Sequence, residues 1–386
     1  MATAVATRLD VTALKLVSPG FYRPELDGLR FFAFLGVYIA HSLSPDSAYY
    51  IAHHVPGASF IASAVSAGKF GVDLFFFLSA YLITELLLRE KERFGAINLR
   101  SFYLRRILRI WPLYLLGLLI AVLLPLVFPA QSFPLRYVLA FLLVSGNWVL
   151  SLRSAGILSI AGPASVMFIL WSVSFEEQFY LFWPLIMGKT SRLKVLLYVS
   201  GLLLLVSTLA RQVMLPYVGF SESAIFTNTL TRFDPLALGI ITAVLLHEKK
   251  LHLNLLARFA LLSGGCATWF AAGHYFGLTR IFMLIGYPAM AIGAGLIFLS
   301  VFQIHFVPRW LRYMGKISYG LYVFHMLALY LCVKLVGTPH TLRAFVGYWT
   351  LSLTLTTSLA ACSYRFYETP FLRMKERFAR IKSRPV

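Results

Sequence analysis

The sequence predicts an all-α, polytopic integral membrane helix bundle, with about ten transmembrane helices and one re-entrant segment. Of the 386 residues, 59% are hydrophobic and only 13% are charged, whereas soluble globular chains are about 45–50% apolar and about 25% charged. A protein surrounded by water cannot bury so many apolar side chains, which excludes a soluble enzyme, a disordered chain and a nucleic-acid-binding domain. The apolar runs do not alternate with period two, which argues against a transmembrane β-barrel.

The apolar runs follow one another along almost the whole chain, and most approach the ~20 residues that a helix needs to cross a bilayer. They lie near 26–43, 68–88, 107–128, 136–150, 157–187, 194–210, 233–247, 253–275, 280–303, 317–336 and 343–362.

The distribution of lysine and arginine predicts the orientation in the membrane. The net charge of +20 is concentrated in short segments between apolar runs and at the C-terminus, as expected for cytoplasmic loops. Placing these clusters in the cytoplasm puts both termini inside and the 44–67 loop outside. The 136–150 run then cannot be a simple crossing, so we expect it to be re-entrant or to pair with 157–170 as two short crossings.

This organisation predicts three parts. Residues 1–22 form a cytoplasmic N-terminal tail, 23–372 form one membrane domain, and 373–386 form a basic cytoplasmic C-terminal tail.

The first apolar run contains two ionisable residues, Arg30 and His41. Eleven residues correspond to about three helical turns, so the two side chains share a helix face with about 20° between them and lie about 16 Å apart along the axis. Ionisable groups inside a membrane span are costly and usually functional. The alternative is a structural role, with Arg30 extending to the membrane surface and His41 hydrogen-bonded in the core.

Asp73 lies among valine, leucine and phenylalanine in the second run. A carboxylate there must be paired, solvated or protonated. We expect Asp73 to orient His41 and to favour its protonated form, as the carboxylate of a catalytic triad does. The alternative is a purely structural ion pair, for example with Arg30.

A third group of charged residues lies at the start of the next predicted span, in the segment LRRILRIWPLY. Arg106 and Arg109 are three residues apart and Arg105 and Arg109 four, so either pair can face one way. Guanidinium groups bind phosphates in a bidentate manner, so the cluster is suited to a phosphate ligand. The alternative is a simple positive anchor on the cytoplasmic side.

Three further segments place polar residues in apolar surroundings. In WSVSFEEQFYLFWP we expect one of Glu176 and Glu177 to face an aqueous vestibule. In ISYGLYVFH, the residues Ser318, Tyr322 and His325 form a polar stripe on one helix face, whose structural alternative is hydrogen bonding between helices. In TRFDPLALG, Arg232 and Asp234 can pair with each other.

These motifs, in this order, resemble the membrane acyltransferase-3 family. The resemblance covers about residues 20–372 and rests on the R-x10-H of Arg30 and His41, GVDLFFFLSAYLIT, the R-x-x-R of Arg106 and Arg109, WSVSFEEQFY and ISYGLYVFH. One departure is Ala80, where the family commonly has glycine, so close helix packing there could be altered. Some members also carry an appended extracellular hydrolase-like domain, which we do not expect in this chain.

The resemblance implies an O-acyltransferase of a bacterial cytoplasmic membrane that uses acyl-coenzyme A, usually acetyl-CoA, to modify glycans such as polysaccharides, or small molecules. It implies His41 as catalytic base with Asp73 as its orienting partner, and donor-handling roles for Arg30, Arg106 and Arg109. Glu176, Tyr322 and His325 are further substrate-site candidates. We expect no metal, no permanently bound cofactor and no nucleic acid partner.

Two other functions fit the same residues. Buried histidine, aspartate and arginine also suit a proton-coupled transporter or a lipid-carrier flippase, although the internal repeats common in transporters are not evident. An acyltransferase acting on an amine or on a macrolide-type small molecule would carry the same motifs.

Overall fold

The computed structural model describes residues 21–52, 54–158, 165–218, 222–247, 249–277, 279–339 and 341–381, and every regular element within them is a helix. This agrees with the predicted all-α class. The predicted N-terminal tail lies almost entirely outside the described residues. In chain order the α-helices are α1 Glu25–Ser42, α2 Ser47–Ala52, α3 Ala58–Gly68, α4 Gly71–Phe94, α5 Leu99–Val127, α6 Leu135–Leu142, α7 Gly146–Ser154, α8 Trp171–Lys189, α9 Leu193–Met214, α10 Glu222–Phe226, α11 Asp234–Leu246, α12 Leu255–His274, α13 Tyr287–Val301, α14 Arg309–Lys316, α15 Ser318–Val336, α16 Leu342–Cys362 and α17 Thr369–Glu376.

Short polar residues define several helix boundaries. Asn98 and Asn254 accept hydrogen bonds from the backbone N–H groups three residues later, at the starts of α5 and α12, and Thr341 caps α16 in the same way. Such caps satisfy backbone donors that have no partner inside the helix. At the end of α4, Gly95 adopts φ 72°, the left-handed conformation that glycine accepts most readily.

Six helical segments in the described part of the chain are long and apolar enough to cross a membrane: Ala58–Phe94, Leu99–Val127, Leu193–Tyr217, Leu255–His274, Phe282–Val301 and Ser318–Val336. The prediction of about ten spans is therefore supported only in part. Helices α1, α8, α11 and α16 occupy the remaining predicted spans but do not meet the same criteria, and α11 has only 13 residues.

The 136–150 run forms two short helices, α6 and α7, with 8 and 9 residues. At 1.5 Å per residue neither reaches across a hydrocarbon core of about 30 Å. This agrees with the expectation that the run is not a simple crossing. The following run contains the 3₁₀ segment Val166–Leu170 and α8, while its residues 159–164 lie outside the described part.

One hydrophobic core includes residues from many of the helices, and α1, α4, α5, α8 and α15 are here named the five core helices. Phe34 of α1, Phe76 of α4, Leu113 of α5, Phe175 of α8 and Leu321 of α15 are all buried within it. By contrast, α9 and α12 expose large apolar side chains such as Leu202, Leu205 and Phe259. In a membrane protein such faces contact lipid, so α9 and α12 lie at the periphery and the five core helices surround the interior.

Helix α4 packs closely against α11 although residue 80 is alanine rather than glycine. Ala80 is completely buried, and Gly239 of α11 lies opposite it. A methyl group on Gly239 would come within 2.9 Å of the Ala80 Cβ atom. The small residue that the contact requires is thus supplied by α11, which permits alanine on α4.

Candidate functional site

A cavity of about 150 Å³ opens between the five core helices. Its wall includes side chains of α1, α4, α5, α8 and α15, the helices on which the sequence placed most of the candidate residues. Arg30, Arg106, Arg109, Glu176 and Tyr322 all line it. The structure therefore brings together five of the predicted residues, although they are separated by up to almost 300 positions in the sequence.

Four arginines and two carboxylates line this cavity, which makes its wall cationic on balance: Arg23, Arg30, Arg106 and Arg109 against Asp27 and Glu176. Arg30 is held by an ion pair with Asp27, one turn earlier on α1, at 3.1 Å from Nη1 to Oδ1. The Arg106 guanidinium lies 5.2 Å from the centre of the Tyr180 ring, within the range of a cation–π contact. Arg109 lies on the same wall. Guanidinium groups converging on one space provide the geometry for binding a phosphate or another anion.

Arg105 turns away from the cavity. Its guanidinium donates to the Phe378 carbonyl and to Glu90 Oε2, at 2.7 and 3.3 Å, and it does not line the cavity. Of the two pairings that the sequence allowed, Arg106 with Arg109 thus forms the shared face. Arg105 instead attaches the segment after α17 to the rest of the protein.

Glu176 is the glutamate that faces the cavity. Its carboxylate accepts hydrogen bonds from the Ser79 hydroxyl at 3.0 Å and from the Tyr180 hydroxyl at 2.9 Å. Glu177 points elsewhere and accepts a hydrogen bond from the Trp111 indole N–H. This agrees with the prediction that one of the two faces a vestibule.

The polar stripe of α15 runs away from the cavity. Ser318 and Tyr322 line the cavity, and the Tyr322 hydroxyl lies 2.7 Å from the Ser172 hydroxyl. One turn further along α15 is His325, which is completely buried. Its ring stands nearly perpendicular to that of Phe34, with 6.0 Å between ring centres. The stripe thus begins at the cavity and ends in the core beside α1.

His41 and His325 meet at the far end of the stripe. The Nδ1 atom of His41 lies 3.2 Å from Nε2 of His325, and the ring centres are 5.2 Å apart. His325 Nδ1 in turn lies 2.6 Å from the Tyr322 carbonyl oxygen. His41 is in the last turn of α1 and is exposed at the protein surface. Helices α1 and α15 therefore each place polar side chains at the cavity and, further along, one histidine of this pair.

The expected contact between Asp73 and His41 is not formed. Asp73 is buried and accepts a hydrogen bond from Arg232 Nη2 at 3.0 Å, while its other carboxylate oxygen has no hydrogen-bond partner among the described residues. The suggested alternative partner, Arg30, pairs with Asp27 instead. A buried carboxylate needs a cation, but the sequence could not show which of the buried arginines would approach it.

The expected pairing of Arg232 with Asp234 is also wrong. Asp234 forms a two-point ion pair with Arg211 of α9, with N–O distances of 2.5 and 3.1 Å, whereas Arg232 crosses to Asp73 of α4. The four charged residues therefore connect α4, α9 and α11. Arg232 lies just before α11 and Asp234 is the first residue of that helix, and each finds its partner on another helix.

Several cavity residues were not singled out from the sequence. Ser172 and Tyr180 flank Glu176 at four-residue spacing, so all three share one face of α8. Asp27 precedes Arg30 by three residues, the spacing of an ion pair within a helix. The three- and four-residue spacings are the signal in the sequence that indicates these contacts.

Comparisons with known proteins add a family relationship. Residues 23–365 match the family described as "Acyltransferase domain". The chain is 28% identical, over 384 aligned positions, to the O-acetyltransferase OatA of Staphylococcus aureus (strain NCTC 8325 / PS 47), covering 92% of this chain and 58% of that protein. It is also 28% identical to the putative O-acetyltransferase SAS0844 of S. aureus (strain MSSA476), over 91% of this chain and 57% of that protein. The chain thus spans well under two thirds of these relatives. No solved structure matches.

Proposed function

The chain belongs to the acyltransferase domain family, and from this premise we propose that it is an integral membrane O-acyltransferase. It moves an acyl group, most simply acetyl, from acyl-coenzyme A to a hydroxyl of a glycan, a lipid-linked sugar or a small molecule. One observation carries the proposal: α1 and α15 help to line the cavity that contains Arg30, Arg106 and Arg109, and further along the same two helices carry the His41–His325 pair.

The cationic cavity suits the donor. Coenzyme A combines phosphate groups with a long, thin arm that ends in the thioester. A space of about 150 Å³ is smaller than the typical site for a drug-sized ligand, about 300–1,000 Å³. It therefore suits the arm, with the phosphates held by the arginines at its wall and the nucleotide at its mouth.

His41 provides the base. Its imidazole accepts the proton of the acceptor hydroxyl while the hydroxyl oxygen attacks the thioester carbonyl. The carbon–sulfur bond then breaks, coenzyme A leaves as the thiolate, and the proton on His41 passes to that thiolate. In a variant of the same scheme, His41 first carries the acyl group itself. Both schemes require an imidazole with a free nitrogen facing the substrates.

The experiment that tests this function uses the purified protein, radiolabelled acetyl-CoA and a panel of hydroxyl-bearing acceptors, with hydrolysis and transfer scored separately. We expect label on at least one acceptor at a rate above that of hydrolysis. A protein that binds acetyl-CoA but yields neither labelled acceptor nor labelled acetate would contradict the proposal. Uptake of a solute coupled to proton flux, without consumption of acetyl-CoA, would favour a transporter.

The donor-binding role of the arginines predicts that a positive charge alone is not sufficient for tight binding of coenzyme A. Arg106→Lys and Arg109→Lys keep the positive charge but lose the planar, two-point geometry. Hydrogen bonds to charged groups contribute about 1.5–3 kcal/mol, so we expect each variant to bind coenzyme A about 10- to 100-fold more weakly in a calorimetric titration.

Arg105→Lys is the matched control for these variants. It changes the same residue type on the same turn of α5, but Arg105 contacts Glu90 and the Phe378 carbonyl rather than the cavity. It should bind coenzyme A like the wild type. If Arg106→Lys and Arg109→Lys also bind like the wild type, these arginines are only anchors of the membrane topology.

Because acyl-coenzyme A is made in the cytoplasm, the proposal also requires the arginine cavity to open there, with both termini inside and the 44–67 loop outside. In a variant whose Cys266, Cys332 and Cys362 are replaced by alanine, single cysteines at the exposed positions Ala48 and Glu376 should label from opposite faces of the membrane. An impermeant thiol reagent applied outside should modify only Ala48→Cys. Modification of both from outside would overturn this orientation.

A further inference from the structure

His325 is the only described side chain that hydrogen-bonds to the ring of His41. It is a completely buried residue of α15 that faces α1, and its ring contacts Phe34, Tyr322 and His41. No carboxylate hydrogen-bonds to either imidazole among the described residues. This differs from a catalytic triad, where a carboxylate holds the histidine, and it raises the question of which proton each ring carries.

The Tyr322 carbonyl determines the tautomer of His325. A backbone carbonyl can only accept a hydrogen bond. The Nδ1 atom of His325, 2.6 Å from that oxygen, must therefore carry a proton. A second proton on Nε2 would create a fully buried cation with no counter-charge, which is costly. His325 is thus neutral, and its Nε2 atom is an acceptor.

The tautomer of His41 follows from that of His325. Because Nε2 of His325 accepts, the Nδ1 atom of His41 at 3.2 Å must donate. In the neutral ring the remaining nitrogen of His41, Nε2, then carries a lone pair and no proton. A lone pair of this kind, on a side chain that is exposed, is what a general base needs.

We propose that His325 is the positioning residue of the reaction: through the Tyr322 carbonyl it holds His41 as the Nδ1–H tautomer and so leaves Nε2 as the base. This inference rests on the proposed function and gives His325 the orienting role that the sequence suggested for Asp73. His325 Nδ1–H donates a hydrogen bond to the Tyr322 carbonyl, and His41 Nδ1–H donates one to His325 Nε2. The Nε2 atom of His41 is then left without a proton.

The proton balance is simple because His325 does not change its protonation. When His41 Nε2 takes the acceptor proton, His41 becomes an imidazolium whose Nδ1–H still donates to His325 Nε2. When that proton passes to the departing thiolate, His41 returns to the same neutral tautomer. Tyr322 also lines the donor cavity. The backbone carbonyl at the start of this series of hydrogen bonds therefore belongs to a residue beside the bound donor.

Three substitutions at His325 separate positioning from packing. Glutamine can place its side-chain oxygen near the site of the imidazole Nε2 and can accept from His41. Asparagine reaches only to the site of Nδ1, and phenylalanine keeps the ring without any acceptor. We expect kcat to stay within about tenfold of wild type in His325→Gln and to fall about 10²- to 10⁴-fold in His325→Asn and His325→Phe. The KM for acetyl-CoA should change little in all three.

The tautomer itself can be observed by nitrogen NMR of the protein labelled with ¹⁵N-histidine, with the His41 signals identified by their absence in His41→Ala. In wild type and His325→Gln we expect a protonated Nδ1 and a bare Nε2. In His325→Phe we expect a population with the proton on Nε2. A wild-type His41 protonated on Nε2, or the same tautomer in wild type and His325→Phe, would overturn the proposal.

The proposed function and the proposed positioning of His41 can be refuted independently of each other. If wild type transfers no acyl group, yet the His41 proton moves from Nδ1 in His325→Phe, the proposed function is wrong and the positioning of His41 by His325 stands. If wild type is active and His325→Phe turns over within tenfold of wild type, His325 has only a packing role. Equal losses in His325→Gln and His325→Phe would also indicate packing.

Discussion

Replacing His41 with alanine is expected to lower acyl transfer by about 100- to 10,000-fold, the usual cost of losing a general base. The loss should be larger if His41 also carries the acyl group. His41 does not line the cavity that contains Arg30, Arg106 and Arg109, so the binding of coenzyme A should stay close to that of wild type. The measurement is kcat with labelled acetyl-CoA, together with a calorimetric titration of coenzyme A.

His274→Ala is a matched control for this substitution. His274 is also an exposed histidine in the last turn of a helix, with a side-chain hydrogen bond to Ser63, but it lies outside both the cavity and the histidine pair. We expect wild-type turnover for this variant. A His41→Ala protein that turns over like His274→Ala would end the catalytic assignment of His41.

The Asp73→Asn substitution is expected to destabilise the fold rather than act chiefly on the reaction. Asp73 of α4 and Arg232, which lies just before α11, are each 1% exposed and pair with each other. Removing one charge leaves the other buried without compensation, which typically costs about 3–5 kcal/mol. Because whole domains are stable by only about 5–15 kcal/mol, we expect a clear fall in the thermal unfolding temperature of the detergent-solubilised protein.

A double substitution distinguishes this role from a catalytic one. Replacing a buried ion pair by apolar residues of similar volume is often neutral or stabilising, so Asp73→Leu combined with Arg232→Met should recover much of the stability and of the acyl transfer. The orienting role first expected for Asp73 predicts the opposite. An Asp73→Asn protein as stable as wild type but slow in turnover, together with an inactive double variant, would restore that role.

The sequence was informative about residues that share a face of a single helix. The eleven-residue spacing of Arg30 and His41, the Arg106–Arg109 pair and the Ser318–Tyr322–His325 stripe each follow from 3.6 residues per turn, and the structure has each of them on a single helix. The pattern also predicted that α6 and α7 would not form a simple crossing.

The sequence was uninformative about contacts between helices. Periodicity shows which face of a helix is polar but not which neighbour approaches that face. The expected partners of Asp73 and Asp234 were therefore wrong, because each approaches an arginine on another segment. The meeting of His41 with His325, 284 positions apart, was likewise beyond any spacing rule. The predicted count of about ten spans is supported only in part for a related reason, since a buried helix such as α11, with 13 residues, is apolar but shorter than a lipid-facing crossing.

The release of coenzyme A thiol from acetyl-CoA tests the central claim most directly, because it does not depend on knowing the acceptor. The protein would be purified, reconstituted in lipid nanodiscs and assayed with a thiol reagent in the presence of the acceptor panel, beside His41→Ala, Arg106→Lys and His274→Ala. We predict saturable thiol release in wild type and His274→Ala, a raised KM for acetyl-CoA in Arg106→Lys, and release near background in His41→Ala. Absence of thiol release from wild type, or equal release from wild type and His41→Ala, would contradict the account of this protein as a membrane acyltransferase that uses His41 as its base.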